Sequence, residues 1–168
     1  MAESAARLWP ADGAVLALAA PLVKTWEGLR LAPYRCSTGH ATIGWGTRFY
    51  PDGRQVAMGD RPITEPEADG FLAAALGASW ARLKPLLARA PSAHQAAAML
   101  SLAYNIGESE FAASTLLRKF NAGDVAGAGA EFIRWCHGRV NGKLVAIAGL
   151  LGRRRDEAAL FLTPDDAP

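Results

Sequence analysis

Residues 29–63 set the first limit on what this chain can fold into. Tyr34, Thr42, Ile43, Trp45, Phe49, Tyr50 and Val56 alternate with polar residues, and glycines fall at 39, 44, 46, 53 and 59. The pattern reads as a small antiparallel sheet with two hairpins, the second turning at Pro51, Asp52 and Gly53. On both sides the rhythm is helical. Before it, Leu22, Val23 and Trp26 recur at helical spacing over 19–27, with Pro21 placed near the first turn and Gly28 as the stop. After it, Thr64, Glu65, Pro66 and Glu67 form a capping box, and Phe71, Leu72, Leu76, Trp80 and Leu83 run down one face. A second capping box, Ser92 to Gln95, opens a helix that stops at Gly107. Shorter helices are expected near Ser114 and Asp124, and a last one over 145–162. The order is one helix, a small sheet, then a run of helices, which is an α+β arrangement with the sheet segregated.

At 168 residues, the chain suits one domain and buries roughly 70 % of its unfolded surface without help from metal or disulfide. Thirty-five residues are alanine, so thin helical packing filled by Trp, Phe and Leu is expected. Charged residues make up 20% and the net charge is +2, which argues against disorder and against a protein that coats polyanions. Cys36 and Cys136 form no disulfide framework, and Cys136 with His137 lacks the further ligands of a zinc site. No metal and no cofactor are expected. The apolar stretch 14–23 is too short to span a bilayer and has no basic leader before it. That predicts a protein made in the cytoplasm without a signal peptide or membrane anchor.

The chemistry gathers around the first hairpin. With its turn at Gly39, Cys36 and Thr42 would stand directly opposite one another, their Cβ atoms roughly 4.5–5.5 Å apart. Glu27 ends the preceding helix. That end carries partial negative charge, which disfavours a carboxylate by about 0.3–1 kcal/mol, and Trp26 with the apolar face adds desolvation in the same direction. An acid held protonated opposite a thiol and a hydroxyl suits general-acid catalysis. The same residues also fit a solvated Glu at a helix end.

The flanking residues carry more. Trp26, Glu27, Gly28, Leu31, Tyr34 and Cys36, followed by Thr42, Ile43, Gly44, Trp45 and Gly46, closely resemble the phage-type lysozymes of glycoside hydrolase family 24. That family's pattern is Glu, eight residues, Asp or Cys, five residues, Thr. The resemblance continues at Tyr104 to Gly107, at 111–116, at Arg134 and Trp135, and from Gly149 to Arg154 with Glu157 following. It implies a lysozyme-like fold over 1–168, mostly helical. A small N-terminal lobe (29–63, preceded by helix 19–28) would carry the hairpin sheet, and a larger all-helical lobe (64–162) would face it across a cleft.

The implied reaction is hydrolysis of the β-1,4 bond between N-acetylmuramic acid and N-acetylglucosamine in peptidoglycan. Glu27 matches the acid that protonates the leaving oxygen, Cys36 the position where many members place a water-handling Asp, and Thr42 the threonine that helps hold the water, the layout of an inverting glycosidase. Arg48, Tyr104, Asn105, Ser114 and Arg153 match or neighbour substrate contacts. Cysteine is among the alternatives at its position, yet an ordinary thiol is only a few per cent thiolate at pH 7. Thr47 departs from the pattern where His often follows. Trp80 and Trp135 are expected in the core, and His40 and His94 on the surface.

Six basic residues and no acids lie within 132–155 (Arg134, Arg139, Lys143, Arg153, Arg154, Arg155), a candidate basic cleft edge for an anionic polymer. Nucleic-acid binding lacks its aromatic and helical signatures. The sequence therefore points to a monomeric muramidase acting on peptidoglycan glycan strands, a phage or prophage endolysin released to the cell wall. The alternatives are a lytic transglycosylase using Glu27 alone, a decayed wall-binding module, and a lysozyme-like part of a phage tail. Glu27→Gln should abolish lysis in a turbidity assay with little loss of folding, read as a native circular dichroism spectrum. Retained lysis would remove Glu27 from the chemistry.

Overall fold

The computed structural model describes residues 8–36, 38–140 and 143–164. Helix α1 (Asp12–Glu27) leads into an antiparallel pair, β1 (Arg30–Arg35) and β2 (Ala41–Gly44). Then follow α2 (Glu65–Leu83), α3 (Ala93–Ile106), α4 (Glu108–Ala112), α5 (Thr115–Asn121) and α6 (Val125–Glu131). A second pair, β3 (His137–Val140) and β4 (Lys143–Ala146), precedes the last helix, α7 (Ala148–Leu162). The mostly helical α+β fold with a small antiparallel sheet is as the sequence predicts.

Two hydrophobic cores form. The larger one surrounds α3, whose residues from Gln95 to Ala103 are all buried. Alanines at 96, 97 and 98 keep its girth small, and α1 and α7 pack against it. Bulk comes from aromatics: Phe161 meets Phe120 at 6.1 Å and Phe132 at 5.4 Å between ring centroids. The smaller core joins Ile43, Val56, Ile63 and Ala68, with Leu29, Tyr50 and Phe71 against it. Helix α2 serves both. Ala68 and Phe71 near its start face the small core, and Leu72, Leu76, Trp80 and Leu83 face the large one. Its capping box is complete, with the Thr64 amide donating to Glu67 Oε2 at 2.8 Å. Ser92 and Gln95 close the second box.

Four sequence expectations are corrected. Helix α1 begins at Asp12 rather than near 19, so Pro21 lies well inside it. Val15, Ala19 and Val23 are all fully buried on one stripe, and that burial, with Trp80 Nε1 donating to Asp12 Oδ1 at 2.7 Å, outweighs the hydrogen bond that proline removes. Helix α7 starts at Ala148, since 143–146 pair as β4. This second hairpin adds strands to the region expected to be all-helical. The turn at 51–53 does form, but only a single bridge flanks it, Phe49 with Gln55, and another single bridge, Ile43 with Thr47, closes the bend before it. Side chains complete it: Asp60 accepts from Tyr50 Oη at 3.0 Å, from Arg54 Nη1 at 2.9 Å and from the Ala57 amide at 2.9 Å.

Phe161→Ala removes the ring shared by Phe120 and Phe132 and should cost about 3–5 kcal/mol, read as a lower midpoint in urea unfolding. Thr64→Ala, which loses only a cap, should cost about 1 kcal/mol. Equal losses would mean the aromatic cluster does not carry the large core.

Candidate active site

Glu27 is the last residue of α1, and its side chain is 21% exposed. Arg153 Nη1 donates to Glu27 Oε1 at 2.6 Å. That arginine is 3% exposed, with Nε donating to Glu157 Oε1 at 3.0 Å and Nη2 to the Ser101 carbonyl at 3.3 Å. Glu157 is fully buried. The Ser101 hydroxyl donates to its Oε1 at 2.7 Å, and Arg154 Nη1 lies 2.8 Å from its Oε2. Burial pushes the Glu157 carboxyl up, and the two arginines and Ser101 pull it back. Arg154 also donates to Asn105 Oδ1. The sequence reading considered only the helix end and the apolar face beside Glu27; the structure adds a guanidinium in direct contact.

Two glycines make the approach possible. Gly46 has φ +88°, and a Cβ there would sit 3.0 Å from Glu27 Oε2. A Cβ on Gly152 would lie 2.5 Å from the Trp26 ring. Glycine inside a helix costs roughly 0.5–1 kcal/mol, and here it lets Trp26 press onto α7, where its Nε1 donates to Asp156 Oδ2 at 3.1 Å. The end of α1 is thus fastened to α7 by two adjacent residues. One oxygen of Glu27 is held by Arg153 and the other faces Gly46.

Across from Glu27 stands the β1–β2 hairpin. Its register pairs Tyr34 with Thr42 and Arg35 with Ala41, and the Cys36 amide donates to the His40 carbonyl at 3.0 Å. Cys36 is therefore opposite His40, not Thr42; the turn centres on Thr38, one residue earlier than expected. Because the partner changes by two residues, the face is preserved, and Cys36 and Thr42 are diagonal neighbours. The Cys36 sulfur lies 3.1 Å from Thr38 Oγ1. Its thiol is lowered to about 7, first by the Thr38 hydroxyl, against some desolvation, with help from the Thr38 backbone, the Thr42 hydroxyl and the His40 backbone. At neutral pH about half is thiolate, well above the few per cent of an ordinary cysteine. Thr42 is 2% exposed and donates to the His40 carbonyl at 3.1 Å.

Glu27, Cys36, Thr42, Arg48, Tyr104 and Asn105 line one groove of about 980 Å³. Arg48 is exposed at its rim. Tyr104 donates to the Trp45 carbonyl at 3.0 Å, and burial, then the charge of Glu27, pushes its phenol up. Further along, Arg82 and Glu108 form a two-point ion pair at 2.6 and 2.7 Å.

Two expected substrate contacts do not line this groove. Ser114 accepts from the Leu117 amide at 3.1 Å as the cap of α5, and Arg153 lies beneath Glu27. The basic cleft edge is also corrected. Arg153 and Arg154 turn inward to acids, and exposed Arg134 pairs with Glu131 at 2.9 Å. Arg155 is exposed, as a solvated helix face requires. The side chains of Arg139 and Lys143 fall outside the described residues. Both cysteines are free thiols, and among the described residues no three metal-ligating side chains converge. Trp80 is in the core, with Trp135 packed against it.

The sequence reading missed Thr38 and Phe49, both on the groove. The Cys-x-Thr spacing was a signal for the first, while the exposure of Phe49 depends on the side chains that replace regular strand pairing around it.

The phage lysozyme family model matches residues 24–157. The chain belongs to the phage lysozyme family. An endolysin of Acyrthosiphon pisum secondary endosymbiont phage 1 is 40% identical over 83% of this chain and 92% of its own. Among solved structures, the endolysin from Escherichia coli O157:H7 phage FAHEc1 is 32% identical, with a TM-score of 0.78 over 93% of this chain and 94% of that one. The muramidase domain of SpmX from Asticaccaulis excentricus is 30% identical, with a TM-score of 0.77 over 94% of this chain and 100% of that one.

Gly46→Ala adds a methyl group where φ is positive and the Glu27 carboxylate is in the way. It should lower the lytic rate about 100-fold with a native circular dichroism spectrum. An unchanged rate would show that the position of Oε2 is not critical.

Proposed function

We propose that this phage lysozyme family member is a glycoside hydrolase that cleaves the β-1,4 bond between N-acetylmuramic acid and N-acetylglucosamine in peptidoglycan. The single observation that carries this reading is one groove bearing the Glu27 carboxyl on one wall and an acidified Cys36 thiol on the other. The names endolysin and muramidase borne by its relatives support the same substrate.

Arg153 grips Oε1 of Glu27, so Oε2, facing Gly46, is the oxygen that carries the proton to the leaving glycosidic oxygen. As the bond breaks, positive charge develops on the sugar ring. Water arrives from the opposite face, where the Cys36 thiolate accepts its proton. Thr42 has committed its own proton to the His40 carbonyl, which leaves its oxygen lone pairs to orient that water. Arg48 and Asn105 on the groove walls contact the glycan strand. Tyr104 holds Trp45 in place, and Arg153 positions Glu27 rather than binding sugar. Ser114 contributes from outside the groove, through the fold.

A thiolate available at neutral pH favours hydrolysis over the transglycosylase alternative, which needs no water-activating group. No described helix is long and apolar enough to cross a membrane.

The thiolate forms as pH rises through about 7, so the acid-side limb of the lysis profile should lie near that value. Cys36→Asp should move the limb down toward the carboxylate range, about 4, and keep or raise the rate, and Cys36→Ala should lower it. Mass spectrometry should find reducing muramic ends. Products ending in 1,6-anhydro sugars would establish transglycosylation instead, and equal rates in all three proteins would assign Cys36 to packing.

A further inference from the structure

The turn between β1 and β2 brings two hydroxyls to the Cys36 sulfur, and only one of them is free to donate. Thr42 brings an oxygen to the sulfur but directs its proton to the His40 carbonyl at 3.1 Å. Thr38, two residues beyond Cys36, has its Oγ1 3.1 Å from the sulfur and lines the same groove. Its hydroxyl has no other hydrogen-bond partner among the described residues.

The turn that carries it is closed at three points. The Cys36 amide donates to the His40 carbonyl at 3.0 Å, the Gly39 amide to the Cys36 carbonyl at 2.8 Å, and Arg35 Nη1 to the Gly39 carbonyl at 2.9 Å. Thr38 is therefore held beside the sulfur by the backbone on either side of it.

The ionisable groups around the sulfur are Glu27 at the end of α1, Tyr34 on β1, His40 in the turn, Arg48 beyond β2 and Tyr104 on α3. Arg82 on α2 and Glu108 on α4, farther along the groove, are occupied with each other. None of their side chains hydrogen-bonds to the sulfur, which from His40 receives only the backbone. A hydroxyl donor gives the anion a strong, directed bond, and here that donor comes from the turn rather than from a neighbouring cation.

We propose that Thr38 is a positioning residue that holds the Cys36 thiolate in the groove. This rests on the reading of Cys36 as the group that handles water, and it names the residue that lets sulfur stand where the family more often has a carboxylate.

The test compares wild type, Thr38→Val and Thr38→Ser by ultraviolet thiolate titration, with Cys36→Ala subtracting the buried Cys136, alongside the pH profile of lysis. Thr38→Val should raise the Cys36 midpoint by about one unit, and Thr38→Ser should restore it. At pH 7 the thiolate fraction, and with it the lytic rate, should fall about fivefold in the valine variant. In a Cys36→Asp background the same valine should leave the acid limb in place, since a carboxylate ionises without the hydroxyl. A thiol midpoint that does not move overturns the proposal. A midpoint that moves while the lysis profile stays fixed upholds the role of Thr38 as the thiolate's holder and overturns the water-handling role of Cys36.

Discussion

The contact between Glu27 and Arg153 is the constraint from which the rest of the site follows. Arg153 is buried with its guanidinium divided among Glu27, Glu157 and the Ser101 carbonyl. A buried charge deprived of its partners costs about 3–5 kcal/mol, so the set moves as one unit or not at all. Buried ion pairs add little net stability over well-packed apolar groups. What this one supplies is position: a carboxyl at the end of a helix, where the chain would otherwise fray, is clamped to a helix 126 residues later in sequence. Trp26 against Gly152 makes the same connection in apolar form, one residue away.

The groove is the seam between the two cores, and Trp45 spans that seam. Its ring packs against both clusters. The indole Nε1 donates to Asp69 Oδ1 on α2 at 2.7 Å, and Lys24 of α1 reaches the same carboxylate at 2.6 Å while lying 5.1 Å from the indole centroid. The Trp45 carbonyl receives Tyr104 from α3. Three helices therefore converge on a residue adjacent to Gly46, whose backbone abuts the Glu27 carboxylate. Surface ion pairs alone are worth at most about 1 kcal/mol, so the convergence depends on the burial of the ring, with the polar contacts fixing its orientation.

Much of this could be read from residue order. Both capping boxes, the helix stops at Gly28 and Gly107 and the turn at 51–53 are local, and local chemistry is visible in sequence. The failures share a physical cause. Helix α1 extends back to Asp12 since Val15 finds the large core, a tertiary gain that outweighs the proline. The β3–β4 hairpin lies in a segment with no clear alternation. The first hairpin's register was placed two residues off because the turn was centred on its glycine, and that error spared the face on which Cys36 and Thr42 lie. The arginines misled most. Charge clustering in sequence suggested a basic surface, but a helix presents residues three and four apart on one side, and Arg153, Arg154 and Glu157 meet there inside the protein.

The same division between local and distant chemistry bears on why a cysteine can stand at position 36. A carboxylate ionises on its own, but a thiol needs help, and Arg153, the buried cation beneath the groove, is already bound to Glu27. Drawing that guanidinium toward the sulfur would loosen the acid it positions. The turn resolves the conflict with neutral donors supplied within four residues of the sulfur, the Thr38 hydroxyl first among them. Because these donors carry no net charge, they lower the thiol without competing for Glu27's partner. The two walls of the groove are thus arranged by separate means, the acid positioned by a salt bridge that spans the chain and the thiol lowered by hydrogen bonds confined to one hairpin.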